Sequence, residues 1–253
     1  TNPNAAVGVG NTAKLSVGIL SAYQLYGDGS KLTGLAGFSP DDQGNLVAGT
    51  SAGNSLASGG IRNVLIGQCA GKSITTGDYN VIFGKCAGAE LVTSGSNVLI
   101  GINAGRDLGE SSCNAKDNVI IGENAGAQLD CAQYNVILGS NAVDSTDDID
   151  CNNVVIGCMA GRNAGSNLLG NILIGEHAGK CASGGHNIYF GTYAGRGKES
   201  TANSNAGACN IAIGYNAGKV IKSGAEDNII MGRNSFGEAG GSGFTGNCNV
   251  SIG

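Results

Sequence analysis

The apolar residues of this chain recur in one short unit. An asparagine is followed by three apolar residues and then a glycine, as in NVLIG from Asn63 and NIAIG from Asn210. A weaker copy, NLVAG, begins at Asn45. Repetition on this scale indicates a repeat architecture. The full copies begin at Asn63, Asn80, Asn97, Asn118, Asn135, Asn153, Asn171, Asn187, Asn210, Asn228 and Asn249.

Each unit predicts a short β-strand that ends in a turn. Its apolar residues are mostly β-branched, a glycine closes it, and no 3.6-residue period suggests a helix. The spacing of the copies predicts an all-β repetitive β-solenoid (a β-helix or β-roll) with about 17–18 residues per coil. We expect the array to span 45–253, after an N-terminal connector or attachment segment over 1–44.

The repeated residues have structural roles in this interpretation. The asparagines are expected to stack in a ladder and satisfy turn backbone groups. The closing glycines Gly67, Gly84 and Gly101 are expected to adopt backbone angles that a side chain disfavours. Alanines three residues further on, such as Ala70, suit a corner with room for a methyl group. The first and third apolar residues of each unit point to one side, and we expect that side to be the interior.

The second apolar residue is then expected to point outwards. It is large in nearly every copy, so the solenoid of one chain exposes a continuous apolar stripe, which soluble monomers avoid. We therefore expect copies of the chain to cover the stripe around a closed axis, with two-fold and three-fold closure both open. The stripe consists of Leu65, Ile82, Leu99, Ile120, Ile137, Val155, Leu173, Tyr189 and Ile230.

The composition excludes several classes. Glycine occupies 46 of 253 positions, but with only two prolines the chain is not collagen. The 41% hydrophobic content does not suit a disordered chain. No basic run supports nucleic-acid binding, and no apolar stretch is long enough for membrane insertion.

Few residues suggest chemistry. No Ser, His and acid cluster is recognisable, and His177 and His186 are interpreted as surface residues. The I-G-x-x-A hexad of acyltransferases occurs only once per coil, so we predict a non-enzymatic protein without a cofactor. An acidic connector is a weak candidate for a calcium loop, with a solvated loop as the plainer interpretation. Its residues are Asp144, Asp147, Asp148 and Asp150.

Nine cysteines leave at least one outside any intrachain pairing. Cys69 and Cys86 occupy the same repeat position in adjacent coils, within disulfide range but equally suited to small buried residues. Cys113 and Cys131, in successive connectors, are the second candidate pair. The sequence leaves thiols and disulfides open for both pairs, because the redox compartment is not fixed.

The unit N-[VI]-x-[ILFM]-G-x-x-A-G resembles the repeats of bacteriophage tail-fibre proteins, especially those of cyanophages. It is also similar to the head repeats of trimeric autotransporter adhesins. The segments VGVGNTAKLSVG from Val7 and YGDGSKLTGL from Tyr26 resemble parts of phage fibres. The connectors here are longer and more irregular than in the adhesins, and cysteine is more frequent.

The resemblance implies a homotrimeric structural fibre segment on a virion or an extracellular appendage. Its implied partners are copies of itself, other fibre or baseplate proteins and, through the connectors, host-surface polysaccharide. Two alternatives remain open: a trimeric solenoid depolymerase with acidic residues in intersubunit grooves, and a subunit of an extracellular filament.

Overall fold

The computed structural model describes residues 40–110, 114–144, 151–165, 168–197, 207–222, 224–236 and 245–253. Twelve three-residue strands form one parallel sheet in chain order, so the predicted all-β solenoid is confirmed. The described ranges contain no helix. The predicted segment 1–44 lies almost entirely outside them, and its boundary stays a prediction. The strands are β1 Leu46–Ala48, β2 Val64–Ile66, β3 Val81–Phe83, β4 Val98–Ile100, β5 Val119–Ile121, β6 Val136–Leu138, β7 Val154–Ile156, β8 Ile172–Ile174, β9 Ile188–Phe190, β10 Ile211–Ile213, β11 Ile229–Met231 and β12 Val250–Ile252.

The predicted asparagine ladder is confirmed and runs through the buried interior. The Asn118 side-chain amide donates to Asn97 Oδ1 at 3.0 Å and to the carbonyl of Ala132 at 2.8 Å. Its own Oδ1 accepts from the backbone and side-chain nitrogens of Asn135, both at 3.1 Å. Each buried amide therefore joins the head of its own strand to the preceding coil, the next coil and a connector carbonyl.

The predicted orientation of the strand residues is wrong. The interior holds the second residue of each strand, and the first and third lie outside. Because all the predicted stripe residues are buried within one chain, they cannot form a surface between copies. The residues predicted to face outwards, but found in the interior and no more than 1% exposed, are Leu65, Ile82, Leu99, Ile120, Ile137, Val155, Leu173, Tyr189 and Ile230.

The reason for this orientation is the buried asparagine. Asn63 is fully buried at the head of β2. Side chains along a strand alternate with a period of two, so an inward Asn63 places Leu65 inward and Val64 and Ile66 outward. The predicted alternation is therefore present, with the opposite phase.

The interior is narrow, and three kinds of residue fill it. The second strand residue packs with a corner alanine and an apolar connector residue, as Leu65 does with Ala70 and Ile74 in one core cluster. The corner alanines are fully buried, as predicted. Where Tyr189 replaces a smaller residue, the equivalent position of the next coil is Ala212, so a small side chain lies beside the large one.

The closing glycines have the unusual backbone angles that the sequence predicts. Gly67, Gly84 and Gly101 have φ values of +132°, +141° and +133°. A Cβ placed on Gly122, at φ +140°, lies 2.5 Å from the carbonyl oxygen of Gly139 in the next coil. Glycine is thus needed both for its φ angle and for the close approach of adjacent coils.

Replacing Asn118 by alanine should lower the free energy of unfolding by about 3 kcal/mol, because several buried polar groups lose their partners. The control is Asn54→Ala, an exposed asparagine that lies outside the ladder and has an ordinary backbone angle. It should cost about 0.5 kcal/mol or less. Urea unfolding followed by circular dichroism measures both, and equal losses would contradict a dominant interior ladder.

Gly122→Ala should destabilise the chain by about 3 kcal/mol or more, because φ strain and overpacking against Gly139 add. Gly224 provides the control, since it has φ +82° but no atom within 4 Å of its Cβ position. Gly224→Ala should cost only about 1 kcal/mol of φ strain. Similar thermal shifts for the two variants would show that coil contact at Gly122 is unimportant.

Candidate functional site

The main surface feature of the solenoid is an apolar face on the outside of its sheet. We call the first and third residues of the strands the outer columns, and none of them is charged. Phe83 and Phe190 are 53% and 52% exposed. Because the strands pair in register, the two columns continue along all twelve strands. The outer columns comprise Leu46, Ala48, Val64, Ile66, Val81, Phe83, Val98, Ile100, Val119, Ile121, Val136, Leu138, Val154, Ile156, Ile172, Ile174, Ile188, Phe190, Ile211, Ile213, Ile229, Met231, Val250 and Ile252.

The size of this face matches that of the largest apolar patches on monomers. Twelve strands spaced about 4.8 Å apart extend for about 53 Å, and three strand residues are about 10 Å wide. The resulting area of about 500 Å² falls in the range of the largest apolar patches on monomers, which are often functional. The face therefore qualifies as a candidate interaction surface by its extent and its lack of charge.

Polar and aromatic residues border the face on both sides. On one side, the residues that precede the asparagines include Tyr79 and Asp117. On the other side, the residues that follow the closing glycines include Lys85 and Glu123. An apolar centre with a polar rim is the usual anatomy of a protein interface.

A second feature is a group of aromatic and charged residues where the chain turns after β8, β9, β10 and β11. The rings of His177 and Tyr193 stack with centroids 5.1 Å apart and planes 13° apart. The Tyr215 ring meets Tyr193 edge-on at 6.0 Å. The guanidinium groups of Arg196 and Arg233 lie over the rings of Tyr193 and Tyr215 respectively.

The two histidines differ in environment. His186 is exposed in its connector, as the sequence predicts. The side chain of His177 is 15% exposed, so it lies at the surface but is largely covered by its neighbours. It is covered because the repeat position two residues after the closing glycine stacks on its equivalent, Tyr193, in the next coil.

The ionisable groups of the described residues form local pairs. The Lys72 ammonium lies 2.7 Å from Glu90 and donates to its carboxylate, which lowers the pKa of Glu90 and raises the pKa of Lys72. Arg106 and Asp107 pair at 2.6 Å. Complete burial raises the pKa of the Tyr189 phenol well above its ordinary value. Exposed pairs of this kind contribute about 0–1 kcal/mol each, so their role is minor.

Only one residue of the candidate calcium loop lies within the described residues. Asp144 lies 3.8 Å from the Nε of Arg162, while Asp147, Asp148 and Asp150 lie outside the described residues. Elsewhere in the described part of the chain, no three His, Cys, Asp or Glu side chains come close enough together to hold a metal ion.

The cysteines divide between one bonded residue and several free ones. Cys69 and Cys86 carry free thiols, so the disulfide alternative for this pair is wrong, and both side chains are half-buried where the other alternative expects small buried residues. Cys131 is disulfide-bonded. Its predicted partner, Cys113, lies outside the described residues. The other described cysteines that carry thiols and not disulfides are Cys151, Cys158, Cys181, Cys209 and Cys248.

A thiol count on the denatured, unreduced protein should therefore give seven reactive groups, rising to all nine after reduction. Ellman's reagent in guanidinium chloride makes this measurement. Five thiols before reduction would indicate a second disulfide, and nine would contradict the bond at Cys131.

Within the described ranges, no helix is long and apolar enough to cross a membrane. Comparison with known proteins shows no matching protein-family model, no matching curated protein and no matching solved structure. The chain's own geometry, above all the outer columns, therefore carries the argument for its function.

Proposed function

We propose that this chain is a non-enzymatic structural segment of a fibre and that three copies assemble through their outer columns. The observation that carries the proposal is the uncharged apolar face that continues along all twelve strands. In water such a face favours association, because covering it removes apolar area from solvent. The corrected orientation moves the proposed contact from the second strand residue to the first and third.

Simple dimensions support three-fold closure. The extended segment from the asparagine to the closing glycine, such as Asn118 to Gly122, is five residues or about 16 Å long. Three walls of that width form a triangle whose sides lie about 5 Å from its axis. That distance is half the usual 10 Å separation of packed sheets, so side chains from three walls fill the centre.

Three chains arranged in parallel around one axis also bring equivalent repeats together. Around an axis along the solenoid, equivalent strands meet at the same height, so Phe83 meets Phe83 and no strand loses its register. A face-to-face pair is the two-fold alternative, with the same sheet separation. The resemblance of the NIAIGYNAG unit to trimeric fibre repeats favours three-fold closure.

A rod with its apolar face turned inwards places the polar connectors on the outer surface of the assembly. Loops in such positions carry recognition in many repeat proteins. The proposed location is therefore a virion or an extracellular appendage, with other fibre or baseplate proteins and host polysaccharide as partners.

Light scattering after size-exclusion chromatography should give three times the chain mass of 25.0 kDa. Ile121→Lys should convert the assembly to folded monomers, because it places a charge in the outer columns without entering the interior. Leu169→Lys is the matched control, since Leu169 is also 36% exposed but lies in a connector. This control should keep the wild-type mass.

A wild-type monomer would overturn the assembly, and a two-fold mass would replace the trimer by the face-to-face pair. If Ile121→Lys keeps the wild-type mass with an unchanged circular dichroism spectrum, the outer columns are not the contact.

A further inference from the structure

We propose that the turns after β8, β9, β10 and β11 bind an acidic oligosaccharide. The site, which we call the aromatic corner, consists of Glu176, His177, Tyr193, Tyr215 and Arg233. It deepens the glycan contact of the proposed function by placing that contact on the regular corner of the coils, where the sequence interpretation placed it on the connectors. It does not depend on the number of chains in the assembly.

The neighbouring rings hold Tyr215 in place. His177, Tyr193 and Tyr215 belong to three consecutive coils, so they span two coil spacings, or roughly 10 Å. His177 stacks face to face on Tyr193, and Tyr215 meets Tyr193 edge-on. Tyr215 is the exposed ring of the three, so a ligand that packs against this preformed ring loses little side-chain entropy on binding.

The fold does not require aromatic residues at these positions. Tyr193 follows its closing glycine by two residues, and in other coils that position holds Asn103 and Asn124, whose side chains bond to each other at 2.9 Å. Aromatic residues make up only 5% of the chain. Their concentration in adjacent coils therefore points to a role beyond coil stacking.

The chemistry of the corner suits a sugar that carries a carboxylate. The Tyr215 ring is 45% exposed, and its electron-rich face attracts the polarised C–H groups on the apolar side of a pyranose. The exposed carboxylate of Glu176 accepts hydrogen bonds from hydroxyl groups.

Arg233 makes the site selective for a negatively charged ligand. Its guanidinium carbon lies 5.7 Å from the centre of the Tyr215 ring, and it makes no ion pair with any described residue. A guanidinium held over a ring is pre-oriented to bind a carboxylate through two parallel hydrogen bonds. A uronic acid that packs against the exposed part of the Tyr215 ring, beside the guanidinium, brings its carboxylate to Arg233.

Isothermal titration calorimetry of the full chain tests the site. The ligands are oligosaccharides of galacturonate, of glucuronate (as in hyaluronan) and of mannuronate, each compared with its methyl ester. At least one acid form should bind, and esterification should weaken that binding about ten-fold by removing the charge-assisted bonds. Arg233→Gln should lower affinity for the acid by about the same factor and leave the ester unaffected.

Tyr215→Ala should weaken binding of both forms at least ten-fold, because it removes the stacking surface. The matched control is Tyr134→Ala: Tyr134 is 48% exposed and lies under Lys116, but outside the aromatic corner. It should bind like the wild type. All variants should keep the wild-type mass and thermal midpoint, which separates loss of this site from loss of assembly.

The proposal fails if none of the three acids binds at millimolar concentration. It also fails if Tyr215→Ala binds like the wild type, or if Tyr134→Ala loses as much affinity as Tyr215→Ala. Equal effects of Arg233→Gln on acid and ester would overturn the assignment to uronic acids.

Discussion

The buried ladder of asparagine side chains is the interaction on which the rest of the structure depends. Each amide in the middle of the ladder bonds to the preceding coil, the following coil and a connector, as Asn118 does. Any slip in register breaks several buried hydrogen bonds at once, each expensive to leave unmade. Because the asparagine points inwards, strand alternation places the next residue outwards and the one after it inwards. The ladder thereby fixes which residues form the core and which form the outer columns.

Hydrogen bonds between coils also maintain backbone conformations that are unfavourable in an isolated chain. Residues before the asparagines and residues two after the closing glycines have positive φ, including Arg62 at +56° and Cys69 at +58°. Each costs roughly 1–2 kcal/mol for a residue with a side chain. The amide of Cys69 donates to Thr50 in the preceding coil at 2.9 Å, so the strained turns are paired along the stack. A single coil has no neighbour to offset this strain, which explains why the fold needs many repeats.

The sequence was sufficient to predict the strands, the asparagine ladder, the closing glycines and the corner alanines, because each depends on a local pattern that recurs. The sequence predicted the wrong side of each strand as the interior, because the residues on both sides are apolar and hydrophobicity alone does not distinguish them. The missing signals were the two-residue step from Asn63 to Leu65 and the apolar connector residues such as Ile74. The aromatic corner was not predicted, since it forms only when residues from four coils meet. Whether Cys69 and Cys86 form a disulfide depends on the distance and orientation of their side chains, which equivalent positions in adjacent coils do not determine.

The corrected orientation changes the meaning of the apolar repeat. The second strand residues close a thin core within one chain, and the first and third remain available to a partner. A high-resolution electron cryomicroscopy map of the protein in solution tests this division most directly. The account predicts that contacts between chains are made by outer-column residues such as Val119 and Ile121, with Ile120 enclosed by its own chain. A map with Ile120 at the contact between chains, or with the outer columns facing solvent in every chain, would contradict it.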